Sequence, residues 1–247
     1  MPSVRDVDQI RWVTFSRPEK LNALTREDIT VAREAVADTP EGVRAVVFAG
    51  AGRRAFSAGV HVQVFHGLSA RDARSFISEL GDLLSAARRA PVPTLCAING
   101  YCLGAGMELA LACDLRVATT DAVFGMPEIK VGIPSVLDAA LLQQHLGLGK
   151  AKELLLTGGL YGVAELDAHG FLNKIVPPDE LEKVTIDLAR AVAGHSPVAM
   201  AAQKRLFETW QNVGLQAAID ASVGEFAEVF ADPDARERIN SYRPDDS

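Results

Sequence analysis

The chain has 247 residues, 48% of them hydrophobic, and a formal net charge of −7. That is enough apolar material for a sizeable core, and the acidic balance argues against a surface built to follow a phosphate backbone, so no nucleic-acid partner is expected. No apolar run approaches the roughly 20 residues of a membrane-spanning helix and no signal-peptide pattern is visible, so the expectation is a cytoplasmic protein without a membrane partner.

In chain order, residues 9–16 alternate as a strand does, and a loop opened by Pro18 follows. Thr25 is placed to cap a helix reaching about Ala37, with Glu27 and Asp28 in its first turn. Residues 45–48 read as a short buried strand. The next six, Gly50-Ala51-Gly52-Arg53-Arg54-Ala55, formally match a dinucleotide fingerprint, but the residues after them look extended and open no helix, so nicotinamide binding is not expected. Residues 70–90 form a long amphipathic helix ended by Pro91 and Pro93.

The stretch around which the chain is organised runs from Ala97 to Asp114. A β-like run at 94–98 meets Gly100, Gly104 and Gly106, where the backbone can bend and approach a ligand, and then a short helix carrying Glu108. The free N–H groups and positive dipole end of that helix face the turn, a place suited to negative charge. A strand at 115–118 and an extended segment at 122–128 follow, the latter ending in Pro127 and Glu128. A helix is expected over 135–146 with Ser135 as its cap, then helices over 150–156, 164–170, 179–193, 197–212 and 215–230, with a strand at 172–176. Cys96, Cys102 and Cys113 are odd in number and lack CxxC spacing, so they read as buried thiols of a reducing compartment. His66, His145, His169 and His195 are scattered, and neither a metal nor a nucleophile triad is expected.

Several motifs taken together resemble the crotonase (enoyl-CoA hydratase/isomerase) superfamily. They are Ser16-Arg17-Pro18 with Asn22-Ala23-Leu24, Phe56-Ser57-Ala58-Gly59, Asn99-Gly100-Tyr101 through Gly104-Ala105-Gly106-Met107-Glu108-Leu109-Ala110, Cys113-Asp114, and Phe124-Gly125-Met126-Pro127-Glu128-Ile129. The resemblance implies an α/β fold, a crotonase-like spiral of ββα units over residues 1–195. A C-terminal helical region, 196–247, would help assemble a homotrimer or a dimer of trimers. It also implies an acyl-CoA thioester as partner, with CoA part of the substrate and no separate cofactor or metal.

By the same resemblance, the backbone N–H groups of Val60 and Ala105 would hold the thioester oxygen, while Glu108 activates water and Glu128 supplies the α-proton of a 2-enoyl-CoA hydration. Two carboxylates on one apolar cavity would repel and push one pKa upward. The neighbouring positions expected to touch substrate or CoA are Lys20, Leu21, Ala58, Gly59, His61, Val62, Gly104, Pro127 and Pro134, with Arg53 and Arg54 as further phosphate candidates. Double-bond isomerisation or hydrolysis of an acyl-CoA is the sibling reading, and a non-catalytic CoA- or RNA-binding scaffold the more distant one.

The chain departs from the family pattern in three places. Ser135-Val136-Leu137-Asp138 replaces a glycine-rich run, with Asp138 expected at a helix start facing solvent or, alternatively, as a third acid. Val60-His61 stands where Ala-Asp is common, with His61 expected to lie exposed. The ending Tyr242-Arg243-Pro244-Asp245-Asp246-Ser247 lacks a Lys-rich segment, so CoA affinity or subunit contacts are expected to differ.

Overall fold

The computed structural model describes residues 1–243. Elements are numbered in chain order. Six strands form a large sheet: β1 (Ser3–Val7), β2 (Ile10–Phe15), β3 (Ala45–Gly50), β5 (Thr94–Ile98), β7 (Leu115–Thr119) and β10 (Lys174–Val176). They lie side by side in that order, and all are parallel except β1, which runs antiparallel to β2. A small sheet orders β4 (Ala55–Ser57), β6 (Tyr101–Leu103), β8 (Val123–Gly125) and β9 (Leu160–Gly162), with β9 antiparallel. The chain therefore sends one strand to each sheet and then a helix: β3, β4 and α2 (Ala70–Arg89), then β5, β6 and α3 (Ala105–Ala112), then β7, β8 and α4 (Leu142–Thr157). This is the ββα spiral.

Local chemistry explains the elements. Before α1 (Arg26–Ala37), the Asp28 carboxylate accepts the Thr25 N–H at 2.8 Å and the Thr25 hydroxyl oxygen accepts the Asp28 N–H at 3.4 Å, a capping box that fixes the helix start. Strand β5 is buried along its whole length, as expected of a strand covered on both faces. Helix α2 buries Phe76, Leu80, Leu83, Leu84 and Ala87 at helical spacing. One face of the large sheet, with α1, α2 and α3, makes the main core; the other buries Trp12, Val47, Leu95 and Ala97 beneath α6 (Leu181–Ala193).

Helices α5 (Val163–Asp167), α7 (Pro197–Asn212), α8 (Leu215–Val229) and α9 (Pro233–Ser241) complete the fold. Lys204 of α7 is 4% exposed and donates to Asp114 at 2.5 Å, while Asp114 also accepts from the N–H and hydroxyl of Thr94. This pair docks α7 onto the end of β5. Truncation by Lys204→Ala leaves a partly buried carboxylate without its cation, and we expect a loss of about 3 kcal/mol in urea unfolding. A change within error would show that α7 is held by its other contacts, the apolar ones and the Glu208 ion pairs with α2.

Some sequence expectations need correction. The helix expected over 135–146 with a Ser135 cap does not form: Ser135 turns back to Glu128, Leu137 takes a positive φ of 49°, a 3-10 turn covers Leu137–Leu141, and α4 begins at Leu142. Gly147, with φ 76° and ψ 153°, breaks α4 into two helical stretches, so the expected division before residue 150 holds and only the start of the first helix is later than expected. Asp138 does not face solvent; it is buried and ion-paired with Arg88 of α2. The expected strand at 172–176 is the shorter Lys174–Val176, and the helix expected at 164–170 is Val163–Asp167. Of the expected C-terminal departure, residues 244–247 lie outside the described residues.

Candidate active site

Helix α3 is buried at all eight positions, so Glu108 enters the interior with it and is only 4% exposed. The glycine before it, Gly104, has φ 51° and ψ −126°, a conformation open only to glycine. Glu128 stands on a 3-10 turn, Pro127–Val131, which Pro127 starts and Gly132 closes in a left-handed conformation. Its carboxylate accepts the Ser135 hydroxyl at 2.9 Å and lies directly over Gly104, where any Cβ would overlap Oε1. Two carboxylates from separate ββα turns thus meet across one glycine.

They face a cavity of about 760 Å³. Phe65, Phe76, Ile77 and Leu80 wall one side, and Val131, Ile133, Pro134 and Val136 the other. Ala58, Gly59, Val60 and Ala105 line it too. The Val60 segment is held in place because Leu24 N–H donates to Gly59 O at 2.7 Å and His61 N–H to Leu24 O at 2.9 Å. Among the described residues, neither the Val60 nor the Ala105 N–H donates a hydrogen bond. A Cβ on Gly59 would come within 3.2 Å of Ala105 N, so the two segments touch.

The electrostatics follow from this placement. Burial pushes the Glu108 carboxyl up to about 8, the charges of Glu128 and Asp138 add to the rise, and the Ala139 backbone N–H opposes it. Glu108 Oε1 is buried without a hydrogen-bond partner, which favours the neutral acid. Burial also raises Glu128, opposed by its own backbone N–H and by Ser135. The pair therefore holds a proton near neutrality, more tightly on Glu108.

Of the residues singled out in the sequence, Ala58, Gly59, Val60, Val62, Ala105, Glu108, Pro127, Glu128 and Pro134 line the cavity. Gly104 lies beneath Glu128. Lys20 and Leu21 are not in the wall, although Leu21 O accepts the Ala58 N–H at 2.9 Å. His61 is half-buried rather than exposed, its Nδ1 accepting the Gln63 N–H at 3.4 Å in a short turn. Asp138 stays behind Glu108, held by Arg88, which also reaches Glu208 of α7. Arg53 lines a different cavity, on the opposite side of the large sheet. The cations that do line this cavity are Arg74 and Lys130, which the sequence reading passes over. The helical spacing of Ala73, Phe76, Ile77 and Leu80 is the signal that places Arg74 at the rim.

No helix of the described residues is long and apolar enough to cross a membrane. Among them, no group of three or more His, Cys, Asp or Glu is placed to hold a metal ion. All three cysteines are free and buried.

Comparison with known proteins agrees with this fold. The profile described as enoyl-CoA hydratase/isomerase matches residues 6–244. The short-chain-enoyl-CoA hydratase of Clostridium acetobutylicum is 29% identical over 241 residues, covering 95% of this chain and 91% of that protein. The crotonyl-CoA hydratase of Syntrophomonas wolfei is 31% identical over 247 residues, covering 95% and 92%. The crystal structure of enoyl-CoA hydratase from Bacillus anthracis superimposes with a TM-score of 0.91 at 26% identity, covering 97% and 95% of the two chains. With a family match over almost its whole length, the chain belongs to the enoyl-CoA hydratase/isomerase family.

Proposed function

We propose that the protein adds water across the 2,3 double bond of a short- to medium-chain 2-enoyl-CoA. The observation that carries this is the meeting of one buried carboxylate, one half-buried carboxylate and two undonated backbone N–H groups on one apolar cavity. Hydration builds enolate charge on the thioester oxygen, and the Val60 and Ala105 N–H groups stabilise it; one such fixed donor is worth about 3 kcal/mol. Glu108 takes a proton from water as the oxygen attacks the β-carbon, and Glu128 delivers a proton to the α-carbon. The reactive form has its one proton on Glu128, and turnover leaves it on Glu108. The resting site, where Glu108 is the stronger proton holder, matches that product form and is poised for the reverse dehydration. After product leaves, proton exchange with an incoming water resets the pair.

Arg74 and Lys130 at the rim are the cations proposed for the CoA phosphates. No separate cofactor is required, because CoA arrives with the substrate. For assembly we propose self-association through α8, whose Leu215, Val223 and Phe226 are 79%, 70% and 68% exposed, giving a trimer or a dimer of trimers.

The test is loss of the conjugated ultraviolet absorbance of crotonyl-CoA. Wild type should consume it, and Glu128→Gln should slow it by on the order of 10²–10⁴-fold. In wild type, kcat/KM should hold through neutrality and fall above about pH 8, where the pair loses its last proton. In Glu128→Gln the ionised Glu108 is the base that remains, so the residual hydration should rise with pH through the Glu108 titration, which loss of the Glu128 charge moves to lower pH. Turnover indifferent to Glu108 would replace the hydratase with a single-carboxylate isomerase.

A further inference from the structure

On the face of the large sheet away from the two glutamates lies a second cavity of about 280 Å³. It shares no lining residue with the first. Strand register explains its floor: Trp12, Thr14, Ala49, Ala97 and Thr119 project from one face of β2, β3, β5 and β7, near their carboxyl ends. Carboxyl ends of parallel strands are where open α/β sheets hold ligands.

Two buried polar atoms in this lining have no hydrogen-bond partner among the described residues, Asn99 Oδ1 and Thr119 Oγ1, on side chains 8% and 1% exposed. The Asn99 amide nitrogen is spent on Gly52 O at 2.8 Å, which fixes the amide and leaves its oxygen free to accept. Leaving such groups unpaired costs about 1–3 kcal/mol each. A ligand presenting N–H or O–H groups would satisfy both.

The rim carries four charges, and among the described residues none of them makes an ion pair: Arg5, Arg53, Asp121 and Glu182. The sheet order separates their signs. Arg5 on β1 and Arg53 after β3 belong to one side, Asp121 after β7 and Glu182 at the start of α6 to the other, with the orphan polar atoms of β5 and β7 between. Two strand spacings from β3 to β7 amount to roughly 10 Å. We infer that this cavity binds a small zwitterion, its carboxylate or phosphate at Arg5 and Arg53 and its ammonium at Asp121 and Glu182, over the Trp12 ring. The site is independent of the acyl-CoA reading.

Isothermal titration of the full-length protein with 5-aminovalerate, 6-aminohexanoate and O-phosphoethanolamine tests this, with valerate, pentylamine and inorganic phosphate as half-charged controls. The two amino acids against O-phosphoethanolamine decide between carboxylate and phosphate. The expected result is saturable binding of at least one zwitterion, weakened roughly tenfold or more by Glu182→Gln and by Arg5→Gln. Both variants should keep wild-type melting temperatures and crotonyl-CoA turnover, and saturating CoA should not displace the zwitterion. Absence of zwitterion binding overturns the inference. So does equal binding of the half-charged controls, indifference to both variants, or displacement by CoA.

Discussion

Glu108→Gln is expected to lower hydration by at least about a thousandfold and, at alkaline pH, to make the protein more stable than wild type. Both effects come from the same burial. The folded-state value of about 8 lies above the 4.5 of a free glutamate, so the neutral carboxyl's contribution is complete below about pH 4.5. It is lost as the pH rises through 8, because ionisation then puts an unpartnered charge at a position 4% exposed. Gln keeps the shape and stays neutral. Urea unfolding should therefore show the two proteins alike near pH 4 and the variant ahead by on the order of 2–4 kcal/mol near pH 9. A constant difference across that range would mean Glu108 ionises as freely in the fold as out of it, and the proton-sharing account of the pair would be lost with it.

What could be read in the sequence is what local chemistry decides. The Thr25 cap, the 20-residue amphipathic stripe of α2 and the buried apolar runs of β3, β5 and β7 announce themselves because period and capping are local signals. The short strands do not. Tyr101–Leu103 is hidden inside a glycine motif, and Leu160–Gly162 carries no alternation, because three residues are too few to show a period; each is defined by its partner across the small sheet. β1 is exposed throughout, so no apolar pattern marks it.

The site divides in the same way. Glu108 and Glu128 are found through motif residues beside them, whereas the partner of Asp138 is 50 positions away in α2 and no local pattern reveals it. Ser135 misleads for a related reason. A serine before an apolar run reads as a cap, yet here its hydroxyl gains a charged acceptor in Glu128, and the run begins with the left-handed turn at Leu137. The departure at residues 135–138 thus has two structural effects: Ser135 stabilises the ionised form of one glutamate, and Asp138 raises the proton affinity of the other. It widens the difference between the pair.

Gly104→Ala should be nearly as damaging to catalysis as removing a carboxylate, although it deletes no polar group. The φ of 51° with ψ −126° admits only glycine, which costs an alanine about 1–3 kcal/mol of stability. The new methyl would also overlap Glu128 Oε1 and stand within 3.7 Å of Gly59 Cα. Glu128 must then leave its place beside Ser135, and the Ala105 N–H must shift against the Val60 segment, so the proposed acid and one proposed oxyanion donor move together. We expect kcat/KM for crotonyl-CoA to fall by about 10³ with a folded, less stable protein. A double-mutant cycle separates the two causes. If the methyl acts through the carboxylate, Gly104→Ala in a Glu128→Ala background should cost far less activity than in wild type, while its stability cost from backbone strain persists. Additive activity losses would place the damage in the backbone donor alone, and the close packing of Glu128 on Gly104 would then serve the fold rather than the proton transfer.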